Sequence, residues 1–193
     1  MVNMHQLTIQ HLIFYQSNTL VLKNREEIFG AAKKLGFSEK YAREIYNRVE
    51  DKRIAGIYEV DNDKIFIFAD RQPNPVAVSF HENVHRAVNQ MGGVANFTNL
   101  IDYLVHIDDE LVSVIKAKYN EDDVEDEVIA YSLQAALIGG EINFLRDNLP
   151  YNAKEELNNI LKYLGYEGTR DTREDVAKYE PNIEGRDYRR FKD

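Results

Sequence analysis

Two kinds of apolar spacing run along this chain. In "TLVLK" from Thr19, and in "AGIYEV" and "KIFIFA" on either side of Asp61-Asn62-Asp63, β-branched and aromatic residues cluster as they do in strands. The acidic triplet is a turn, so residues 55–69 are expected to form a hairpin. An earlier run, "LTIQHLIFY" at residues 7–15, also reads as a strand, divided from "TLVLK" by Gln16-Ser17-Asn18. Between these segments the period becomes helical. "NREEIFGAAKKLGF" at 24–37 predicts a helix, with Asn24 and Glu27 at the spacing of a capping box and Gly36 at its end. "SEKYAREIYNRVEDK" at 38–52 predicts a second, with Tyr41, Ala42, Ile45 and Val49 on one face.

After the hairpin, "DRQPNP" is a loop that ends in a helix start: Asn74 can cap and Pro75 suits the first turn. The helix is expected to run to about Gln90, where Gly92 and Gly93 stop it. Helical spacing then dominates. "NLIDYLVHIDDELVSVIKAKY" is one long helix or two short ones. "EDDVEDEVIAYSLQAALI" is another, "EINFLRDNL" a short one, and "NAKEELNNILKYLG" a last one, with Asn152 and Glu155 as a second capping box. The pattern predicts an α+β fold in one domain, residues 1–167. Residues 168–193 are charged and poor in aliphatics, and read as a mobile tail.

Composition narrows the function. The net charge of −9 argues against nucleic acid and against an anionic membrane surface. There is no cysteine, so a zinc site would have to use histidine and carboxylate. No leader and no stretch long enough to span a bilayer is evident, which points to the cytoplasm.

The helix expected at 75–90 contains "HENVH". Its histidines, His81 and His85, are four apart and share one helical face, about 6 Å apart along the axis. Both can reach one ion. Glu82 is turned from His81 by about 100°. Its carboxylate can therefore act on a water that zinc has made acidic, rather than on the zinc. Catalytic zinc takes about three protein ligands. A third histidine six residues after His85 is absent, because position 91 is Met91. His5, His11 and His106 have no local spacing argument. The acidic run 121–127 supplies carboxylates, most of which suit a solvated helix start. Glu127 stands at the border with the apolar body of its helix and is the favoured third ligand. Glu110 and Glu125 are the alternatives.

With these motifs the sequence resembles a gluzincin-type zinc metallopeptidase. "HENVH" matches HExxH, and "EVIAY", from Glu127 to Tyr131, is similar to the ExxA element of the glutamate helix in those families. The resemblance spans roughly residues 55–137. It is nearest to small zincin-like domains of phage and mobile-element polyvalent proteins and to minigluzincins. It implies a small twisted sheet with packed helices above a mainly helical lower part, and the active helix between them. It implies one catalytic Zn2+ ion, a peptide or protein substrate, and Gly56, Ile57 and Tyr58 on a substrate-binding edge strand. Tyr131 would orient a ligand or stabilise an oxyanion, or else pack in the core as an ordinary tyrosine. Two positions depart from the pattern: Asn83, where the families are usually apolar, and Arg86, where they are usually uncharged. These motivate an alternative, a zincin-fold binding or structural module with little or no hydrolysis.

Overall fold

The computed structural model describes residues 18–50, 54–71 and 74–166. The strand expected at 7–15 and the tail from 168 lie outside the described residues, as do His5 and His11. Strand β1 (Thr19–Leu22) leads through a 3-10 turn (Arg25–Glu27) into helices α1 (Ile28–Lys34) and α2 (Glu39–Arg48). The hairpin follows as β2 (Gly56–Glu59) and β3 (Lys64–Phe68). Then come α3 (Pro75–Gln90), α4 (Thr98–Ile107), α5 (Asp109–Lys118), α6 (Val124–Ile138), α7 (Ile142–Asn148) and α8 (Tyr151–Tyr163). The fold is thus mixed α+β and mostly helical: among the described residues, eight α-helices accompany one three-stranded sheet. None of these helices is long and apolar enough to cross a membrane.

The sheet has the order β1-β3-β2, with β1 parallel and β2 antiparallel to β3. The central strand is covered on both faces, which is why "IFIF" is an unbroken apolar run. Phe66 and Phe68 pack with Ile28, Ala32, Ala42 and Ile45 of α1 and α2. Ile65 and Ile67 point the other way and pack with Val78 of α3. The larger core lies beyond α3, where Phe80, Val84 and Val88 join Leu100, Leu104, Ile129, Leu133 and Leu157 from the later helices. Helix α3 therefore separates the sheet from the helical half.

The ends of α3 follow the expected chemistry. The Asn74 side chain accepts a hydrogen bond from the Ala77 N–H at 3.0 Å, and Gly92 and Gly93 both adopt positive φ after the last turn. Ser38 caps α2 in the same manner, accepting from the Tyr41 N–H at 3.1 Å. The ambiguous segment after the glycines is two helices. Asp108 breaks it with a non-helical backbone (φ −141°, ψ 73°) and caps α5 by accepting from the Leu111 N–H at 2.8 Å.

Neither expected capping box forms. Asn24 makes no side-chain cap; the Glu27 carboxylate accepts from the Lys23 N–H at 2.8 Å instead. Helix α8 starts at Tyr151, immediately after Pro150, so Asn152 already lies inside the first turn and cannot cap it.

The hairpin is fastened to α3 by Arg86. Its guanidinium donates from Nε to Oδ1 of Asp63 at 2.6 Å and from Nη2 to Oδ2 at 2.7 Å. Asp63 sits in the turn with a positive φ of 51°, and also accepts from the Tyr58 hydroxyl at 3.3 Å and from the Asn18 side-chain amide. The bonds from Arg86 hold the Asp63 carboxyl below its ordinary value, against the opposing effect of burial. Arg86→Ala and Asp63→Ala are each expected to cost about 1–3 kcal/mol in chemical denaturation, with the double variant little worse than either single one. The sign of the pH dependence follows. A carboxyl whose folded-state value is depressed stabilises fully above its unfolded value, near 3.8, and loses that contribution as pH falls through the folded value. The stability gap between wild type and Asp63→Asn is thus expected to be full at neutral pH and to close under acid. A gap unchanged down to pH 2 contradicts the clamp.

Candidate metal centre

Helix α3 crosses α6 where both are lined by small and apolar residues, and polar groups concentrate at this seam. Residues 81 and 85 lie one turn apart and turn their rings together. His81 Nε2 and His85 Nε2 are 2.9 Å apart. Glu127, in the first turn of α6, places Oε2 at 3.4 Å from the first and 3.8 Å from the second. Among the described residues these three form a converging group of possible metal ligands. A triangle with those sides has a circumscribed radius of about 2.0 Å, and zinc binds imidazole nitrogen and carboxylate oxygen at about 2.0–2.2 Å. One point can thus lie at bonding distance from all three atoms. Glu127 Oε2 is buried and has no hydrogen-bond partner, an expensive state for a carboxylate oxygen that a cation would relieve.

The alternatives Glu110 and Glu125 do not join this group; both are exposed. His106 is also exposed, and its Nδ1 meets the Asp102 carbonyl of its own helix.

Glu82 is buried beside the triangle, not in it. Desolvation raises its carboxyl above the ordinary range, against the opposing pull of His81 and His85 and of a backbone hydrogen bond from Tyr58. That bond is explained by strand register. Phe68 N–H donates to the Ala55 carbonyl at 2.8 Å, so in the antiparallel pairing Ile57 and Glu59 direct their backbone groups toward β3. Gly56 and Tyr58 direct theirs to the outer edge of β2, with which no other described strand pairs. Of the three expected edge residues, the structure therefore turns Gly56 and Tyr58 outward and Ile57 inward.

Gly56 is required by the close approach of this edge to α3. A Cβ there would meet Val78 Cγ1 at 2.6 Å and Glu82 Oε1 at 2.7 Å. No side chain fits without moving the strand or Glu82.

Burial alone would push the His85 imidazole down. Its hydrogen bond with Asp126, and the charges of Asp126, Glu127 and Glu82, outweigh that effect and raise it to about 9. Surroundings that hold a proton so firmly also favour a divalent cation.

Two further residues belong to the site and have no sequence pattern to announce them. Asp126 Oδ2 lies 2.8 Å from His85 Nδ1. Tyr119, just after α5, places its hydroxyl 2.8 Å from that of Tyr131. The Tyr131 ring packs edge-on against His81, with centroids 4.4 Å apart. Burial raises both phenols well above their ordinary value. Their shared hydrogen bond uses one proton, which leaves the pair a second proton to donate.

The departures Asn83 and Arg86 have structural partners. Asn83 Nδ2 donates to the Ser79 carbonyl one turn back at 2.8 Å, and Arg86 forms the hairpin clamp. Neither occupies a ligand position. Comparison of the chain with family models, curated proteins and solved structures returned no match.

Gly56→Ala tests the approach of the edge strand to Glu82. It is expected to cost about 1–3 kcal/mol, as overpacking does, in thermal or chemical unfolding. Wild-type stability in that variant would show that β2 does not lie against Glu82.

Proposed function

We propose that the chain is a zinc-dependent metallopeptidase with a zincin-like arrangement. The observation that carries this reading is the convergence of His81, His85 and Glu127 on one point, with Glu82 buried beside it under the outer edge of β2, which no other described strand pairs with. The sheet would form the upper wall of the cleft, α3 its floor, and α6 would be the glutamate helix. His81, His85 and Glu127 would hold the ion. When bound, zinc supplies positive charge that acidifies a water and polarises a substrate carbonyl.

The remaining chemistry belongs to the chain. Glu82 takes a proton from the attacking water and returns it to the leaving amine. Burial raises its proton affinity, in keeping with a group that accepts and returns a proton. The outward backbone groups of Gly56 and the outward carbonyl of Tyr58, whose N–H is held by Glu82, offer pairing to an extended peptide, the mode by which a strand edge holds a substrate. As the carbonyl carbon becomes tetrahedral, its oxygen gains charge, and the spare hydroxyl proton of the Tyr119–Tyr131 pair is the nearby donor from this chain. Tyr131 packs on His81 and supports Tyr119, which is the less enclosed of the two.

Two variants test the roles. Glu82→Gln is expected to retain zinc and to lower peptide turnover at least about 100-fold. Tyr119→Phe is expected to lower kcat about 100-fold while leaving KM and zinc content near wild type. Undiminished turnover of a cleavable peptide by Glu82→Gln would rule out this mechanism. A zinc-loaded wild type that cleaves no peptide in a diverse library would favour the binding-module alternative.

A further inference from the structure

The two nitrogens of the His85 ring face different carboxylates. Nε2 faces His81 and Glu127, whereas Nδ1 meets Asp126 at 2.8 Å. Ring nitrogens diverge, so Asp126 cannot share an ion with Nε2. Asp126 and Glu127 are neighbours in the first turn of α6, about 100° apart, and together they embrace one imidazole.

We propose that Asp126 is a positioning residue: its carboxylate holds the Nδ1–H of His85 and thereby fixes the ring with Nε2 toward the point shared with His81 and Glu127. The proposal rests on the metal-centre reading. Nothing in the sequence pattern assigned this role, since Asp126 stands in a run of acids that suits a solvated helix start.

Three observations carry it. First, Asp126 is turned inward although solvent is close. Asp123 and Glu125 beside it are exposed, yet Asp126 Oδ1 is buried with no hydrogen-bond partner. An acid that served only the helix dipole would gain nothing by leaving water. Second, the two histidines are held differently. His81 Nδ1 has no hydrogen-bond partner, and its ring is set by contact with Tyr131. His85 has Asp126 as the partner of its outer nitrogen. Third, a carboxylate on the outer nitrogen of a ligand histidine fixes its tautomer and raises its basicity, and losing such a partner costs 10–100-fold in metal affinity.

The test compares the full-length wild type with Asp126→Ala and Asp126→Asn. Zinc affinity is read by competition with a chromophoric chelator. The His85 Nδ1–H is followed by proton–nitrogen NMR, and metal-free stability by chemical denaturation. Asp126→Ala is expected to bind zinc about 10–100-fold more weakly and to lose the exchange-protected Nδ1–H resonance. Asp126→Asn, whose amide oxygen can still accept from Nδ1–H, is expected to keep the resonance and recover part of the affinity. Wild-type zinc affinity in Asp126→Ala overturns the proposal, whatever the resonance does. Equal losses of stability in both variants with no change in affinity also overturn it, since that is a merely structural role. If the wild type itself binds no zinc, the metal reading fails separately. The resonance then decides the positioning claim: its loss in Asp126→Ala supports the claim, and its persistence refutes it.

Discussion

Burying carboxylates beside one another is costly unless positive charge lies between them. At the seam of α3 and α6 this chain encloses Glu82 and Glu127 with His81 and His85, and Asp126 stands behind the second histidine. Hydrophobic packing holds these helices together: Val84, Val88, Ile129 and Leu133 lie in the same core. Within this group Glu127 Oε2 and Asp126 Oδ1 are buried without a hydrogen-bond partner. A divalent cation at the shared point would offset the charge, which ties the architecture of the seam to its proposed chemistry.

The sheet depends on the same helix. Ile65, Ile67 and Val78 glue it to α3, Arg86 forks onto Asp63 in the hairpin turn, and Gly56 lets the edge strand settle against Glu82. These contacts fix the height of the outer edge of β2 above the candidate general base. Arg86 thus fastens the hairpin to the helix that carries the proposed ligands, although it directly follows one of them in sequence. Asn83, like Arg86, has a local fastening partner.

Much of this organisation was legible before any coordinates. Asn74-Pro75 and Gly92-Gly93 bracket α3 because caps act locally, on backbone groups one turn away. The four-residue spacing of the histidines placed them on one face for the same reason. Glu127 stands at the border between an acidic start and an apolar body, a signal of inward turning, and its Oε2 lies 3.4 and 3.8 Å from the two histidines. Local rules misled where competing geometry was stronger: Pro150 started α8 ahead of Asn152, and Glu27 turned to Lys23. The roles of Asp126 and Tyr119 were not legible. Each depends on a partner 41 or 12 residues away, brought near by the crossing of helices, and no periodicity encodes such a meeting.

The central claim is that His81, His85 and Glu127 hold one zinc ion. Zinc-edge X-ray absorption on the purified, zinc-loaded protein, with metal content measured on the same sample, tests it most directly. The expected result is one equivalent of zinc with two imidazoles and at least one carboxylate oxygen at about 2.0–2.2 Å, and loss of that signature in His81→Ala. No bound zinc, or zinc whose spectrum lacks imidazole scattering, would contradict it.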